Sequence, residues 1–72
     1  KVLLIEDVMD TSDIKDLSDL KVSKDETIEN VAEKILNQDK SVAVIDSNNK
    51  IVGSINPSKI INTVFGGTKN NN

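Results

Sequence analysis

The run Ser41-Val42-Ala43-Val44-Ile45 constrains this chain more than any other stretch. It is apolar and mostly β-branched, with no polar alternation, which is the pattern of a strand buried on both faces. The rest of the 72 residues must therefore cover both sides of it. Asp46-Ser47-Asn48-Asn49-Lys50 follows, and Asn tolerates the positive φ that tight hairpin turns require. Ile51-Val52-Gly53-Ser54-Ile55 then reads as the returning strand.

Helical signals bracket this hairpin. After Thr27, the apolar residues Ile28, Val31, Ala32, Ile35 and Leu36 fall at i, i+3, i+4, i+7 and i+8, one stripe of a 3.6-residue helix. Thr27 is an N-cap residue type, and Glu29 sits in the first turn, where the helix dipole favours it. Asn37-Gln38-Asp39 ends the stripe. Beyond the hairpin, Asn56 can cap a second helix with Pro57 at its first position, where the missing N–H is harmless. Ile60, Ile61, Val64 and Phe65 would form its apolar face, and Gly66-Gly67 its stop. With a short strand expected near Lys21-Val22, the order is strand, helix, strand, strand, helix: an α+β domain. The chain divides into a lead-in and acidic linker (1–20), the domain (21–65) and a flexible tail (66–72).

Several function classes drop out on composition. The chain has no Cys and no His, so it lacks thiolate chemistry, disulfides and the commonest general base and metal ligand. Lys and Arg number 9 against 12 Asp and Glu, for a net charge of −3, and Phe65 is the single aromatic. That balance argues against nucleic acid, which demands a basic face and stacking rings. No apolar run approaches the roughly 18 residues of a membrane span. An enzyme is not expected, because Asp46, the least exposed carboxylate by pattern, reads as a turn cap. A domain of this size hides only about 60% of its unfolded surface, so stability calls for a partner surface, most simply a second copy.

Three motif-like stretches resolve into ordinary structure. Asp10, Asp13, Asp16 and Asp19 stand three apart, as do Ile14, Leu17 and Leu20, which suits an amphipathic turn or short helix with a solvated acidic face rather than a cation loop. The turn at Asp46 departs from a calcium loop at Lys50, Ile51 and Pro57, the fifth, sixth and twelfth positions. Gly66-Gly67-Thr68-Lys69 closes a helix instead of opening one, unlike a phosphate loop.

The ordered pieces VSKDETIENVAEKIL, SVAVIDSNNKIVGSI and NPSKIINTVFG resemble a cystathionine-β-synthase (CBS) domain, a βαββα module, and LLIEDVM resembles its lead-in. The carrying steps are Thr27-Ile28 at the first helix, Ile45-Asp46 before the turn, the apolar-Val-Gly-x-apolar strand Ile51 to Ile55, and Asp7-Val8-Met9. The resemblance implies modules that pair into a two-module dimer, with clefts that often bind adenosine-containing ligands. It places ligand contacts at Val22, Ser23, Ser41, Val42, Ala43, Asn56 and Lys59. The family's nucleotide binders carry Thr or Ser, then an Asp three residues on for the ribose hydroxyls. Asn56 and Lys59 stand there instead, and an ammonium is no diol acceptor, although it can neutralise a phosphate. No cofactor is expected beyond a nucleotide of this kind.

Two readings follow from the resemblance. One is a regulatory module of a larger cytoplasmic protein that senses an adenosine-type nucleotide or ionic strength and acts on an attached effector domain. The other is a ligand-free dimerisation module with a degenerate cleft, pairing through Ile28, Val31, Ile35, Ile60, Ile61 and Val64. Among hosts, the likeness is to regulatory tails of ATP-binding subunits of glycine betaine or proline uptake transporters.

Overall fold

A computed structural model describes residues 2–12 and 14–65, with only the backbone of Phe65. The buried run becomes strand β2 (Ser41–Ile45), at the centre of a three-stranded sheet ordered β1-β2-β3. Strand β1 (Leu17–Ser23) runs parallel to it, and β3 (Ile51–Ile55) antiparallel. Val42, Ala43 and Val44 are all buried, as a strand covered on both faces requires.

The helix expected after Thr27 is α2 (Ile28–Leu36), and the Thr27 hydroxyl accepts from the Asn30 amide at 3.3 Å. Its stripe closes over one face of the sheet: Ile28, Val31 and Ile35 join Val22, Val42, Val44, Ile55 and Ile60 in the core. Core membership corrects part of the pairing surface expected from the sequence. Ile28, Val31, Ile35 and Ile60 are at most 5% exposed within one copy, so they cannot form an outward face. Of the six expected residues, Ile61 and Val64 are left exposed, at 49% and 41%.

The second helix is shorter and less regular than its apolar spacing predicts. Helix α3 spans only Pro57–Ile60, and Ile61–Phe65 continues as a π-helical turn. Asn56 caps α3 as expected, its Oδ1 accepting from the Ser58 amide at 2.8 Å. The expected glycine stop and tail lie outside the described residues.

No helix forms among the described residues of the acidic stretch. Leu17, Ser18, Asp19 and Leu20 belong to β1, which starts four residues before Lys21. The three-residue recurrence of Ile14, Leu17 and Leu20 is compatible with one turn of helix, but pairing with β2 wins. Leu17 is set opposite Ser41, and the register then slips before Lys21 meets Ala43. Asp16, just before the strand, sits in the left-handed region at φ 55°, which Asp tolerates better than most side chains.

The lead-in is integral to the module. Helix α1 (Ile5–Val8) buries Ile5 completely. Its backbone is tied down by Ile5 N to Glu26 O (2.8 Å) and Glu6 N to Lys24 O (3.0 Å). Farther on, Asp10 pairs with Ser54 at the outer edge of β3, N to O at 2.8 Å in both directions. Gly53 is needed beside this contact: a Cβ there would stand 2.6 Å from Met9 Sδ and 3.0 Å from Asp10 O. Asp10 and β1 thus flank opposite edges of the sheet, three strand spacings or about 14 Å apart.

Candidate functional site

A polar trough lies at one end of the sheet. Antiparallel pairing of Val42 with Ile55 brings the start of β2 against the end of β3, so Ser41 meets Asn56. Asn56 Nδ2 donates to Ser41 Oγ at 3.4 Å, while its Oδ1 also accepts from Ser58 Oγ at 2.7 Å. Next to this junction lies a hollow of about 360 Å³, lined by Val8, Met9, Asp10, Ser54, Ile55, Asn56, Ser58, Lys59 and Asn62. A second, of about 290 Å³, shares Asp10, Ser54 and Asn56 and adds Lys15, Asp16 and Ser41. Together they make one open trough, roughly the size of small-ligand sites.

Its electrostatics are mixed. Asp10 Oδ1 accepts from the Ser12 amide at 3.0 Å and from Ser12 Oγ at 2.9 Å. These two bonds, the backbone one first, hold the Asp10 carboxyl below the usual carboxylate range, and the Lys59 charge adds to the effect. No ion pair closes between Asp10 and Lys59 among the described residues, although both line the same hollow. The hydrogen-bonding capacity of the site comes from carboxylate, ammonium, amides and hydroxyls. Val8 and Met9 supply an apolar wall. Among the described residues no cluster of acidic side chains could hold a metal ion.

The residues expected at the site separate into three groups. Ser41, Asn56 and Lys59 line the trough. Val42 and Ala43 adjoin it in sequence, but their side chains are buried. Val22 and Ser23 pair with Val44 and Ile45, three and four residues farther along β2 than Ser41. At about 3.3 Å per residue they lie about 10 Å or more from Ser41, at the other end of the sheet. The parallel register puts them there, since the end of β1 meets the end of β2.

Asp10 and Ser54 escaped the sequence reading. Asp10 is one of four evenly spaced aspartates, and nothing local tells that it docks on β3. Ser54 carried a faint signal as a polar residue between Gly53 and Ile55 in an otherwise apolar strand, and it is 93% buried.

A family model described as the CBS domain matches residues 5–66. The trimethylamine N-oxide transport system ATP-binding protein TmoW of Pelagibacter ubique (strain HTCC1062) is 69% identical over 65 residues, which is 90% of this chain and 19% of that protein. The chain therefore spans about a fifth of the length of this curated relative. No solved structure matches the chain.

Proposed function

Since the chain belongs to the CBS-domain family, we propose that it is the regulatory module of an ATP-binding subunit of a transport system. The observation that carries this reading is the 69% identity to the trimethylamine N-oxide transport protein, sustained over nine-tenths of the chain. That relative's name points to a small methylated-amine solute, where the sequence alone suggested glycine betaine or proline. In this reading the module sits on the cytoplasmic side with its ATP-binding domain. It pairs with a second CBS module, and its state biases the effector domain by population shift.

The trough supports a sensing role, for an adenosine-type nucleotide or for ionic strength. It is concave and lined by Asp10 and Lys59, which close no ion pair with each other among the described residues, and such exposed charges respond to salt over a screening length of about 8–10 Å. In the full-length protein, ATP hydrolysis should change with nucleotide or salt when the module is present and lose that response when residues 5–66 are deleted. An ATPase whose response survives the deletion would remove the regulatory reading.

A ligand-free pairing module is the second reading, and one observation favours it. Asn56 already directs Oδ1 to Ser58 and Nδ2 to Ser41, which leaves it little free capacity for a ligand. Val2 and Leu3 are exposed near Val64 and line one hollow with it, so with Ile61 they offer the apolar surface that the buried residues do not. Sedimentation at micromolar concentration should give a dimer; a folded 7.8 kDa monomer alone would count against pairing in both readings.

A further inference from the structure

The trough has two walls from separate parts of the chain. Val8, Met9 and Asp10 come from the lead-in, and Asn56, Ser58, Lys59 and Asn62 from the segment after β3. Past Met9 the described chain is fastened to the β3 edge by the two Asp10–Ser54 backbone hydrogen bonds. Above that joint, Ser12 takes up Asp10 Oδ1. The two Ser12 bonds orient the carboxylate, and Oδ2 has no hydrogen-bond partner among the described residues. The same hollow is lined by Lys59, exposed and close enough for its charge to act on the Asp10 carboxyl, yet making no ion pair with it among the described residues. Two opposite charges held apart in a hollow suit one ligand that presents an anion to Lys59 and hydrogen-bond donors to Asp10. The other polar side chains on the Lys59 wall with capacity to spare, Ser58 and Asn62, are a neutral hydroxyl and a neutral amide that match hydroxyl partners.

We propose that Asp10 is a ligand-binding residue of this module, gripping the hydroxyl groups of a small hydroxylated anion whose charge rests on Lys59, so that the bound ligand clamps the lead-in to β3. The inference rests on the sensing role given to the trough above and adds to it a residue, a ligand chemistry and a route outward. Because the site exists only while Asp10 is docked, ligand binding and docking strengthen each other by the same factor. The lead-in is thereby the element through which occupancy is felt.

The test uses the 72-residue chain with glycerol 3-phosphate, which carries both chemistries, and inorganic phosphate, which carries the anion alone. Nuclear magnetic resonance titration should show glycerol 3-phosphate binding about tenfold or more tighter than phosphate, as a hydrogen bond to a charged acceptor supports. Asp10→Asn keeps an oxygen for Ser12 but turns the open oxygen into a donor, and should reduce that preference to near unity. Lys59→Gln should weaken both probes and keep the preference. At ten times the dissociation constant, exchange of the Ser54 amide, which donates to Asp10 O, should slow about tenfold. If neither probe binds the unaltered chain up to about 50 mM, roughly fiftyfold weaker than a millimolar site, ligand sensing at the trough and this inference fall together, and ionic-strength sensing is what remains of the proposed role. If both bind equally, if Asp10→Asn keeps the preference, or if Ser54 exchange does not slow, the inference alone falls.

Discussion

The two ends of strand β2 are built from the same kinds of residue and serve opposite purposes. At its C-terminal end, Ile45 O accepts from Lys24 N at 2.9 Å. Asp46 closes the hairpin, its Oδ1 accepting from the Asn48 and Lys50 amides at 2.8 and 3.0 Å. Asn49 takes the positive φ of 66° that the turn demands. Polar side chains there are spent on the chain's own backbone. At the N-terminal end Ser41, Asn56, Asp10 and Lys59 surround an open trough, where Asp10 and Lys59 close no ion pair with each other among the described residues. An Asp near a strand end is thus a turn closer in one place and a site residue in the other, and only the tertiary neighbours tell which.

The strongest way to break this contrast is to detach the lead-in that forms one wall of the trough. Ile5→Ala removes a side chain with no exposed surface and should cost about 2–5 kcal/mol, like any fully buried Ile truncation, read by chemical denaturation. A cost near that of an exposed residue would show the lead-in to be an ornament. Gly53→Ala should cost about 1–3 kcal/mol from overpacking, since its Cβ lands on Met9 and on the Asp10 carbonyl. Adding Met9→Ala should return only part of that loss, because the Asp10 backbone still stands in the way; full recovery would leave the joint at Ser54 without steric significance.

Asp46→Ala sharpens the contrast from the closed end. Losing its two turn bonds should cost about 1 kcal/mol and leave the amide signals of Asp10 and Ser54 in place. The smallest effect is electrostatic. The Asp10 carboxyl titrates below the ordinary value near 3.9 because the folded state favours its charged form. Its contribution is therefore complete above that value and lost as pH falls through the lower folded one. Ser12→Ala should move the Asp10 midpoint up toward the ordinary value in a carbon-detected titration, and an unmoved midpoint would deny the fixed orientation of this carboxylate.

Much of the fold could be read locally. Thr27 with its stripe, the apolar run of β2, the Asn-rich turn and Asn56-Pro57 are each decided by neighbours within a few residues, and each forms as expected. The strand β1 was only half legible, because Leu17 and Leu20 satisfy a helical and an extended spacing equally until β2 is placed beside them. The C-terminal helix shows the reverse: Ile60, Ile61 and Val64 carry helical spacing, but one of them reaches the core. At the site, Asn56 and Lys59 follow from their place after β3. Asp10 does not, since a bridge to Ser54, 44 residues away, leaves no local trace. The distance of Val22 and Ser23 from Ser41 is equally hidden from the sequence, as strand register is a property of pairs.

The most direct test of a closed end and a sensing end is an amide titration of the chain with AMP, ATP, S-adenosylmethionine and cyclic dinucleotides. Shifts confined to Asp10, Ser41, Ser54, Asn56 and Lys59, with Asn48, Asn49 and Lys50 still, are the predicted result. A spectrum that stays silent to millimolar ligand, or shifts centred on Val22, Ser23 and the hairpin turn, would contradict it.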